Sequence, residues 1–522
     1  MKIMRLLSLL VLIISHLACS SVKKATSVYG IADGKVEWIF LQMNDVYEIG
    51  ALDGGKIGGM ARVATLRKEL LKENPNTYTV MAGDFLNPSL IGTLKYEGEG
   101  IKGRQMVEVM NATGINYVCF GNHEFDLDFV DLQKRIDESQ FEWISSNAFH
   151  QNGDNIQPFS RSKDPENTYF PEYKIIEVKD GASGESAKIG MFSVVLDATK
   201  KDYIHYSDVL ERSNSIIEDV LKKESDVTVG LTHLNVDDDK KIAQKNPSVS
   251  LIMGGHEHNN MRHEIGKTII AKADANAITV WVHRCSYSLK TRELRIKSNL
   301  IKVDNIIQED PSVAAIVKKW TNIADKSFRS AGFNPDEVVV ELRETLDGRS
   351  SVIRQQQNNL GSIIAKAITA TAKKPLDCTF FNSGSVRIDD QVKGTVTQAD
   401  IVRILPYGGK LYEFDIKGME LRRVLTTGLL NSDKGGYLQW DKISYNEADK
   451  TFKINNLALD DTKIYHVMTN DFLISGKEGN FGFFTETNPN VSNIQKPDPN
   501  DASDLRNDIR KALIDYLKKT KP

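Results

Sequence analysis

The sequence predicts an α/β protein with two domains. Residues 36–301 alternate apolar, strand-like runs with helical patterns, such as the one at residues 59–70. Residues 338–516 show the same alternation, and an Ala/Lys/Ile-rich helical stretch at residues 304–333 separates the two regions. The boundaries predicted from these patterns are 35–302 for the first domain, 303–335 for a helical connector and 336–522 for the second domain.

The composition is that of a soluble globular protein with enough apolar residues for a sizeable core. Of the 522 residues, 40% are hydrophobic and 26% are charged, and 67 Lys and Arg nearly balance 70 Asp and Glu. The lack of a basic excess argues against a nucleic-acid polymer as partner. Cys119, Cys285 and Cys378 lie in or beside apolar runs and are expected to be buried free thiols.

The N-terminus has the features of an export signal. Lys2 and Arg5 precede an apolar run at residues 6–14 that is too short to span a membrane, so residues 1–18 are predicted to be a signal peptide. The segment Leu17-Ala18-Cys19-Ser20 resembles a bacterial lipoprotein cleavage site, with Cys19 as the acylated residue, although His16 replaces the usual aliphatic residue.

We therefore expect export to the periplasm or cell envelope and a lipid anchor in a bacterial membrane. Ordinary secretion after cleavage at residue 18 is the alternative. Residues 19–34 are polar and would form a tether. The sequence does not predict the oligomeric state.

Five strand-like runs of the first domain each end at residues of metal-ligand type. They are residues 36–43 before Asn44-Asp45, 77–81 before Gly83-Asp84, 115–120 before Gly121-Asn122-His123-Glu124, 226–231 before Thr232-His233, and 249–253 before Gly254-Gly255-His256-Glu257-His258. Ligand sites in parallel α/β sheets form beyond the carboxyl ends of strands, so these side chains should meet at one rim. Their oxygen and imidazole donors suit two divalent transition metals.

Each motif alone also has an ordinary structural explanation. Asp84 could cap a helix, His233 could be a satisfied polar residue near a core, and the His-Glu-His segment could be an exposed turn. Five such motifs in this order, all at strand ends, favour the metal site.

Together these motifs resemble the calcineurin-like metallophosphoesterases. Asn44-Asp45 and the segment Gly121-Asn122-His123-Glu124-Phe125-Asp126 narrow the resemblance to the bacterial 5′-nucleotidase/UDP-sugar hydrolase family. The resemblance runs from about residue 36 to near the C-terminus. It implies an N-terminal four-layer β-sandwich flanked by helices, followed by an α/β substrate-binding domain. It also implies two divalent metal ions as cofactors, with Zn, Mn, Co and Fe all open.

The resemblance further implies roles for individual residues. Asp84, Asn122, His233 and His256 would hold one metal ion, and Asp45, Asp84 and His258 the other, with Asp84 bridging both. His123 would face the substrate phosphate and be oriented by Asp126, a residue that could equally cap a helix.

Tyr47 departs from the family pattern, which has His at this position. The chain has Asn44-Asp45-Val46-Tyr47-Glu48. Tyrosine is a poor ligand for zinc but a good one for ferric iron. Three possibilities follow from this departure: Tyr47 binds the metal, Glu48 or water substitutes for the missing His, or this metal position is weak.

The second domain resembles the family's substrate-binding domain in three segments. Arg354 and Arg387 match its phosphate-binding arginines, and Arg349 could add a third charge although it lies one residue off the family spacing. Tyr407 and Phe472 match its pair of base-stacking aromatics, although either could instead be a core residue. The other residues expected in this site are Asn382, Gly384 and Glu478, the last in a segment that departs from the family pattern.

The resemblance implies an enzyme that hydrolyses nucleoside 5′-monophosphates to nucleoside and phosphate at a site between the domains. UDP-sugars and 2′,3′-cyclic nucleotides are further possible substrates. Two alternatives are a thiosulfohydrolase-like enzyme and a non-catalytic, surface-displayed nucleotide-binding lipoprotein. The preferred base stays open.

Overall fold

The computed structural model describes residues 33–162, 168–388 and 390–522. The predicted signal peptide, Cys19 and nearly all of the predicted tether lie outside these residues. Two six-stranded sheets form the first domain. In spatial order the strands of one sheet are Glu293–Lys302, Thr279–Ser288, Lys35–Met43, Thr77–Ala82, Tyr117–Cys119 and Glu142–Trp143, and those of the other are Met261–Ile265, Thr268–Lys272, Val249–Gly255, Val227–His233, Ser186–Val195 and Tyr173–Lys179.

The two sheets pack face to face, and helices cover their outer faces. In the strand Lys35–Met43, Trp38 and Phe40 lie in the core between the sheets, whereas Leu41 and Met43 pack towards helices. A central strand buried on both faces explains why its sequence is almost continuously apolar. The helices of this domain are Met60–Glu73, Arg104–Thr113, Phe129–Glu138, Val209–Ser215, Lys222–Glu224 and Val236–Lys245. The predicted four-layer sandwich is confirmed.

Short elements complete the first domain. They are the small sheet of Ala148–Asn152, Asn155–Gln157 and Ile204–Tyr206, the strand pair Lys95–Tyr96 and Glu99–Gly100, the 3-10 turns Ile91–Thr93 and His123–Asp126, and a π-helical turn at Ile216–Leu221.

The rim predicted from the five motifs is divided between the two sheets. Strands Lys35–Met43, Thr77–Ala82 and Tyr117–Cys119 of one sheet run parallel, and so do Val227–His233 and Val249–Gly255 of the other. The carboxyl ends of all five meet at the same edge of the sandwich, because Asp84 of the first sheet and His233 of the second are in contact.

The second domain follows the long helix Pro311–Ser330, whose Trp320 and Phe328 belong to the helix-covered core of the first domain. Its central sheet has the strand order Leu438–Asp441, Cys378–Asn382, Ile464–Asn470, Leu411–Lys417 and Val491–Gln495. Smaller sheets pair Val338–Asp347 with Gln391–Thr397 and join Ile443–Asn446, Thr451–Ile454 and Leu457–Ala458. Its helices are Ser350–Ile353, Asn359–Ala370, Gln398–Ile404, Gly418–Leu430, Asp471–Ile474 and Ile509–Thr520, with 3-10 turns at Ser383–Ser385 and Leu505–Asn507.

Cys119, Cys285 and Cys378 are free and buried, as predicted. Among the described helices, none combines the length and the apolar character needed to cross a lipid bilayer.

Candidate active site between the domains

Two buried carboxylates and a buried imidazole form the centre of the rim. Donor atoms of Asp45, Asp84 and His233 all lie within 4.8 Å of one another. The Nε2 atom of His233 is 3.2 Å from Asp84 Oδ2 and 3.9 Å from Asp45 Oδ1. The other ring nitrogen, Nδ1, is 2.8 Å from the Ala82 carbonyl oxygen, to which it donates a hydrogen bond, so Nε2 is the ring nitrogen that faces the carboxylates.

Tyr47 and His258 close one side of this cluster. The Tyr47 hydroxyl is 3.0 Å from His258 Nε2, 3.2 Å from Asp84 Oδ2 and 3.4 Å from Asp45 Oδ1. The Glu48 carboxylate lies elsewhere, 3.6 Å from the guanidinium of Arg403 in the second domain. Of the side chains that the sequence offered for this position, the geometry therefore favours Tyr47 over Glu48.

Asn122 and His256 are the remaining candidate donors of the rim. The Oδ1 atom of Asn122 is buried and has no hydrogen-bond partner among the residues that the structure describes. His256 donates its backbone N–H to Asp45 Oδ2 over 2.9 Å, and its ring centroid is 5.4 Å from that of His233. A buried amide oxygen without a hydrogen-bond donor suits a cation, and together with the carboxylates and imidazoles of the rim it gives a donor set that fits a metal centre.

The electrostatics of the cluster also indicate a cation site. Burial would raise the pKa of the Asp45 carboxyl, but His233 and His258 outweigh it and lower that pKa to about 2. Burial would lower the pKa of His233, but Asp84 and Asp45 raise it to about 9. Burial and neighbouring His233 lower the pKa of His256 to about 4. The paired carboxylates thus attract positive charge to a buried place.

The backbone at this rim is strained and tightly packed. Asp45, Asp84 and His256 have φ values of 53°, 55° and 87°, in the left-handed region that non-glycine residues rarely adopt. A Cβ atom on Gly121 would lie 2.1 Å from Asp84 Oδ1, and one on Gly255 would lie 2.2 Å from a carbonyl oxygen of the facing sheet. The glycines of the motifs are therefore needed for the close approach of the strand ends.

His123 and Asp126 form a hydrogen-bonded pair beside the cluster. His123 Nδ1 is 2.8 Å from Asp126 Oδ2, which also accepts a 2.7 Å hydrogen bond from Asn87. The backbone N–H of His123 donates to Asp84 Oδ1 over 2.8 Å. Burial would raise the pKa of Asp126, but His123, Arg387 and Arg354 hold it at about 2.

The second domain contributes its arginines to the same place. Arg387 extends to within 3.9 Å of Asp126 Oδ2, and its Nε donates a 3.1 Å hydrogen bond to the Gly384 carbonyl oxygen. The positive charge of Arg354 also helps to lower the pKa of the Asp126 carboxyl. Arg349 is held by Asp347, with Nε 2.9 Å from Oδ1, so a local carboxylate already balances this third predicted charge.

The remaining predicted substrate residues lie on the second domain. Tyr407 and Phe472 are 62% and 45% exposed, so neither is a core aromatic. The guanidinium carbon of Arg387 is 5.7 Å from the centroid of the Tyr407 ring. Asn382 donates a 2.7 Å hydrogen bond to the Glu478 carboxylate, so these two predicted substrate-binding residues are in direct contact.

A cavity lies between the two domains. Tyr47, Glu48, Asn87 and Asn276 line it from the first domain. Arg387, Arg403 and Tyr407 line it from the second. Arg387 and Tyr407 of the second domain thus share this cavity with Tyr47, which belongs to the polar cluster of the first domain.

Two residues that support this site were missed in the sequence. Glu124 accepts backbone N–H groups of Asp84, Phe85 and Gly121 at 2.8, 2.7 and 2.7 Å, which fixes two strand ends against each other. Its position inside the Gly-Asn-His-Glu motif was a signal for this role. The second residue, Lys272, lies at the end of the strand Thr268–Lys272 and has no comparable signal in the sequence.

Lys272 is completely buried and ties the two His-bearing strand ends together. Its ammonium pairs with Asp239 over 2.9 Å and with the carboxylate of Glu257, the residue between His256 and His258. It also donates a 2.6 Å hydrogen bond to the carbonyl oxygen of Leu234, next to His233.

Comparison with known proteins identifies the two domains. Residues 40–260 match the family model of calcineurin-like phosphoesterases, and residues 338–486 match that of the 5′-nucleotidase C-terminal domain. The fold and the cluster of Asp45, Asp84 and His233 thus define a metal-dependent phosphoesterase. With both domains matched in this order, the chain belongs to the 5′-nucleotidase family.

The relatives are distant in sequence. The chain is 25% identical over 484 residues to the trifunctional nucleotide phosphoesterase of Bacillus subtilis, which covers 82% of this chain and 31% of that protein. It therefore spans about a third of that relative. The 5′-nucleotidase of Bos taurus is 24% identical over 479 residues, covering 81% of this chain and 78% of that protein.

Solved structures share the fold. The 5′-nucleotidase precursor of Thermus thermophilus has a TM-score of 0.64 at 20% identity and covers 93% of this chain and 97% of its own. A sulfate thiohydrolase of Thermus thermophilus has a TM-score of 0.63 at 13% identity, covering 92% of this chain and 94% of its own. At such identities the likeness shows the architecture alone.

Proposed function

We propose that the protein hydrolyses nucleoside 5′-monophosphates to nucleoside and phosphate. The observation that supports this most directly is the 3.9 Å separation between Arg387 and Asp126. It brings a guanidinium of the second domain, a group suited to binding phosphate, to the His123–Asp126 pair. A phosphate ester held there would contact both domains at once. UDP-sugars and 2′,3′-cyclic nucleotides present the same chemistry and are proposed as secondary substrates.

Two metal positions are proposed at the rim. Asp84, Asn122, His233 and His256 would hold one cation, and Asp45, Tyr47, Asp84 and His258 the other. Two cations there would polarise the phosphoryl oxygens and activate the attacking water.

Side chains of the protein would bind the substrate phosphate and protonate the leaving nucleoside. The guanidinium groups of Arg354 and Arg387 bind phosphate oxygens as charge-assisted donors. Asp126 is ionised at neutral pH because its pKa is about 2, so it accepts the Nδ1 proton of His123 and orients the ring. His123 then presents Nε2 to the substrate and can protonate the leaving 5′-oxygen.

The base and the ribose would bind on the second domain. Tyr407 and Phe472 are exposed aromatics at the surface, where stacking on a base would bury them. The Glu478 carboxylate, fixed by Asn382, is an acceptor for ribose hydroxyl groups. These contacts favour a nucleotide over the thiosulfohydrolase alternative, for which the fold likeness is the sole support.

The test is phosphate release across nucleotides from apoprotein supplied separately with Mn, Co, Zn, Fe or Ca. We expect metal-dependent release from nucleoside monophosphates. Asp84→Ala should abolish both activity and most metal binding, because it removes a donor from both positions. Full activity of chelator-treated protein, or of this variant, would refute the proposal.

Export with a lipid anchor at Cys19 is a separate proposal, based on the sequence before residue 33. If it is correct, the protein expressed in bacteria partitions into detergent, and Cys19→Ser gives a soluble or uncleaved form. Unchanged partitioning of Cys19→Ser would place the anchor elsewhere.

A further inference from the structure

Tyr47 is the residue at which this chain departs from the family's ligand pattern, and its hydroxyl lies inside the polar cluster. The side chain is 3% exposed. Its oxygen is 3.0, 3.2 and 3.4 Å from donor atoms of His258, Asp84 and Asp45. These three residues are the other donors of one proposed metal position, so the phenol faces that position directly.

The distances match those between neighbouring ligands of one cation. Donors with metal bonds of about 2.1 Å are separated by about 3.0 Å in an octahedron and by about 3.4 Å in a tetrahedron. The three separations around the Tyr47 oxygen span this interval. That oxygen is therefore as close to the three donor atoms as a fourth ligand of the same cation would be.

With Tyr47 included, the two proposed positions differ in donor chemistry. The Tyr47 position has three oxygen donors that carry negative charge when bound, from Asp45, Tyr47 and Asp84, and one imidazole. The other position shares Asp84 but adds an amide oxygen and two imidazoles. Hard anionic oxygens favour a hard, highly charged cation, whereas imidazoles suit divalent transition metals. Tyrosine is also an established ligand of haem iron.

We infer that the position of Asp45, Tyr47, Asp84 and His258 selects ferric iron through the Tyr47 phenolate. The inference rests on the proposed two-metal site and specifies the ion at one half of it. On binding, the phenolic O–H bond breaks, an O–Fe bond forms and the proton passes to solvent. The iron enters as Fe(III), so no oxidation state changes.

The test is visible absorption of the full-length protein, stripped of metal and then supplied with one equivalent each of ferric citrate and Zn²⁺. A phenolate bound to Fe(III) gives a visible charge-transfer band that ferric citrate and carboxylate–imidazole sites lack. We expect this band in the wild type, with about one iron per chain after gel filtration. Binding of iron without the band, or no retained iron, would overturn the inference.

Three variants assign the band. Tyr47→Phe should lose it, and Tyr47→His should lose it while the chain still binds two divalent cations, which shows that the site remains folded. Tyr287→Phe, which alters a buried tyrosine of the strand Thr279–Ser288, should keep it. A band that persists in Tyr47→Phe would refute the assignment. Phosphate release with Mn or Co, measured on the same samples, reports separately on the proposed function.

Discussion

The ammonium of Lys272 lies 2.9 Å from the Asp239 carboxylate, and both side chains are completely buried. Lys272 also contacts Glu257 and the backbone next to His233. A single buried cation thus fixes the two strand ends that carry His233, His256 and His258.

Lys272→Met should therefore weaken metal binding. Methionine keeps the apolar stem but leaves Asp239 and Glu257 without their cation. Breaking a buried ion pair in this way lowers the free energy of unfolding by about 3–5 kcal/mol. We expect a lower melting temperature and a weaker affinity for the cation bound by His256, measured by metal titration. Lys241→Met, which removes an exposed ion pair with Asp238, is the control. Unchanged metal affinity in Lys272→Met would show that the contacts of Lys272 with Asp239 and Glu257 serve stability alone.

Arg387→Ala should reduce hydrolysis of every phosphate ester. Losing a charge-assisted hydrogen bond to phosphate costs about 1.5–3 kcal/mol, equal to about ten- to more than a hundredfold in kcat/KM. The loss should be similar for a nucleotide and for p-nitrophenyl phosphate, since both carry the phosphate. Arg423→Ala, at an exposed arginine of the same domain, should change neither. A loss confined to the nucleotide would contradict a phosphate contact for Arg387.

His123→Ala should lower turnover and leave the metal content intact. His123 touches Asp84 through its backbone N–H, which alanine retains, whereas its imidazole bonds to Asp126. Removal of a general acid costs about 10²–10⁴ in rate. Metal analysis next to steady-state kinetics decides the matter, because loss of a full metal equivalent would make His123 a ligand.

Tyr407→Ala and Phe472→Ala should affect nucleotides alone. Stacking on an aromatic is worth about 1–3 kcal/mol per base, so kcat/KM for a nucleotide should fall by about tenfold to a hundredfold. Hydrolysis of p-nitrophenyl phosphate, which has no base, should barely change. Equal losses on both substrates would rule out a base clamp.

The second domain should lose stability as the pH rises above neutral. His466 lies between two carboxylates, with Nδ1 2.7 Å from Asp415 and Nε2 2.8 Å from Glu413. Burial alone would lower the pKa of His466, but these carboxylates raise it above its ordinary value. The two ion pairs of charged His466 stabilise the folded state fully below the pKa of about 6.5 that histidine has in the unfolded chain. This stabilisation disappears as the pH rises through the pKa of His466 in the folded state.

The measurement is the free energy of unfolding against pH for wild type and His466→Gln. The difference between them should be largest at acidic pH and shrink as the pH rises through the folded pKa of His466. A difference that is constant with pH would show that the ring is not charged in the folded state.

Most of the candidate site could be predicted from the sequence because each candidate ligand closely follows an apolar run. Parallel strands end at a common edge, so Asp45, Asp84 and Asn122 had to be neighbours wherever the sheet formed. The division of the rim between two sheets could not be predicted from strand patterns alone, because sheet-to-sheet packing is set by contacts between distant residues.

Supporting residues were harder to predict for the same reason. Lys272 is a lone lysine at the end of a strand, and its partners Asp239 and Glu257 become visible only when the fold brings them together. For Tyr47 the sequence left three alternatives, and the distances around its hydroxyl favour one of them.

The division of the rim between two sheets has a consequence for the order of folding. Asp84 and His233 come from different sheets, so their 3.2 Å contact cannot form until the sandwich has closed. A metal ion that needs both residues binds the native chain far better than the unfolded one and stabilises it by mass action. A chain that holds a cation between Asp84 and His233 would therefore already have assembled both sheets.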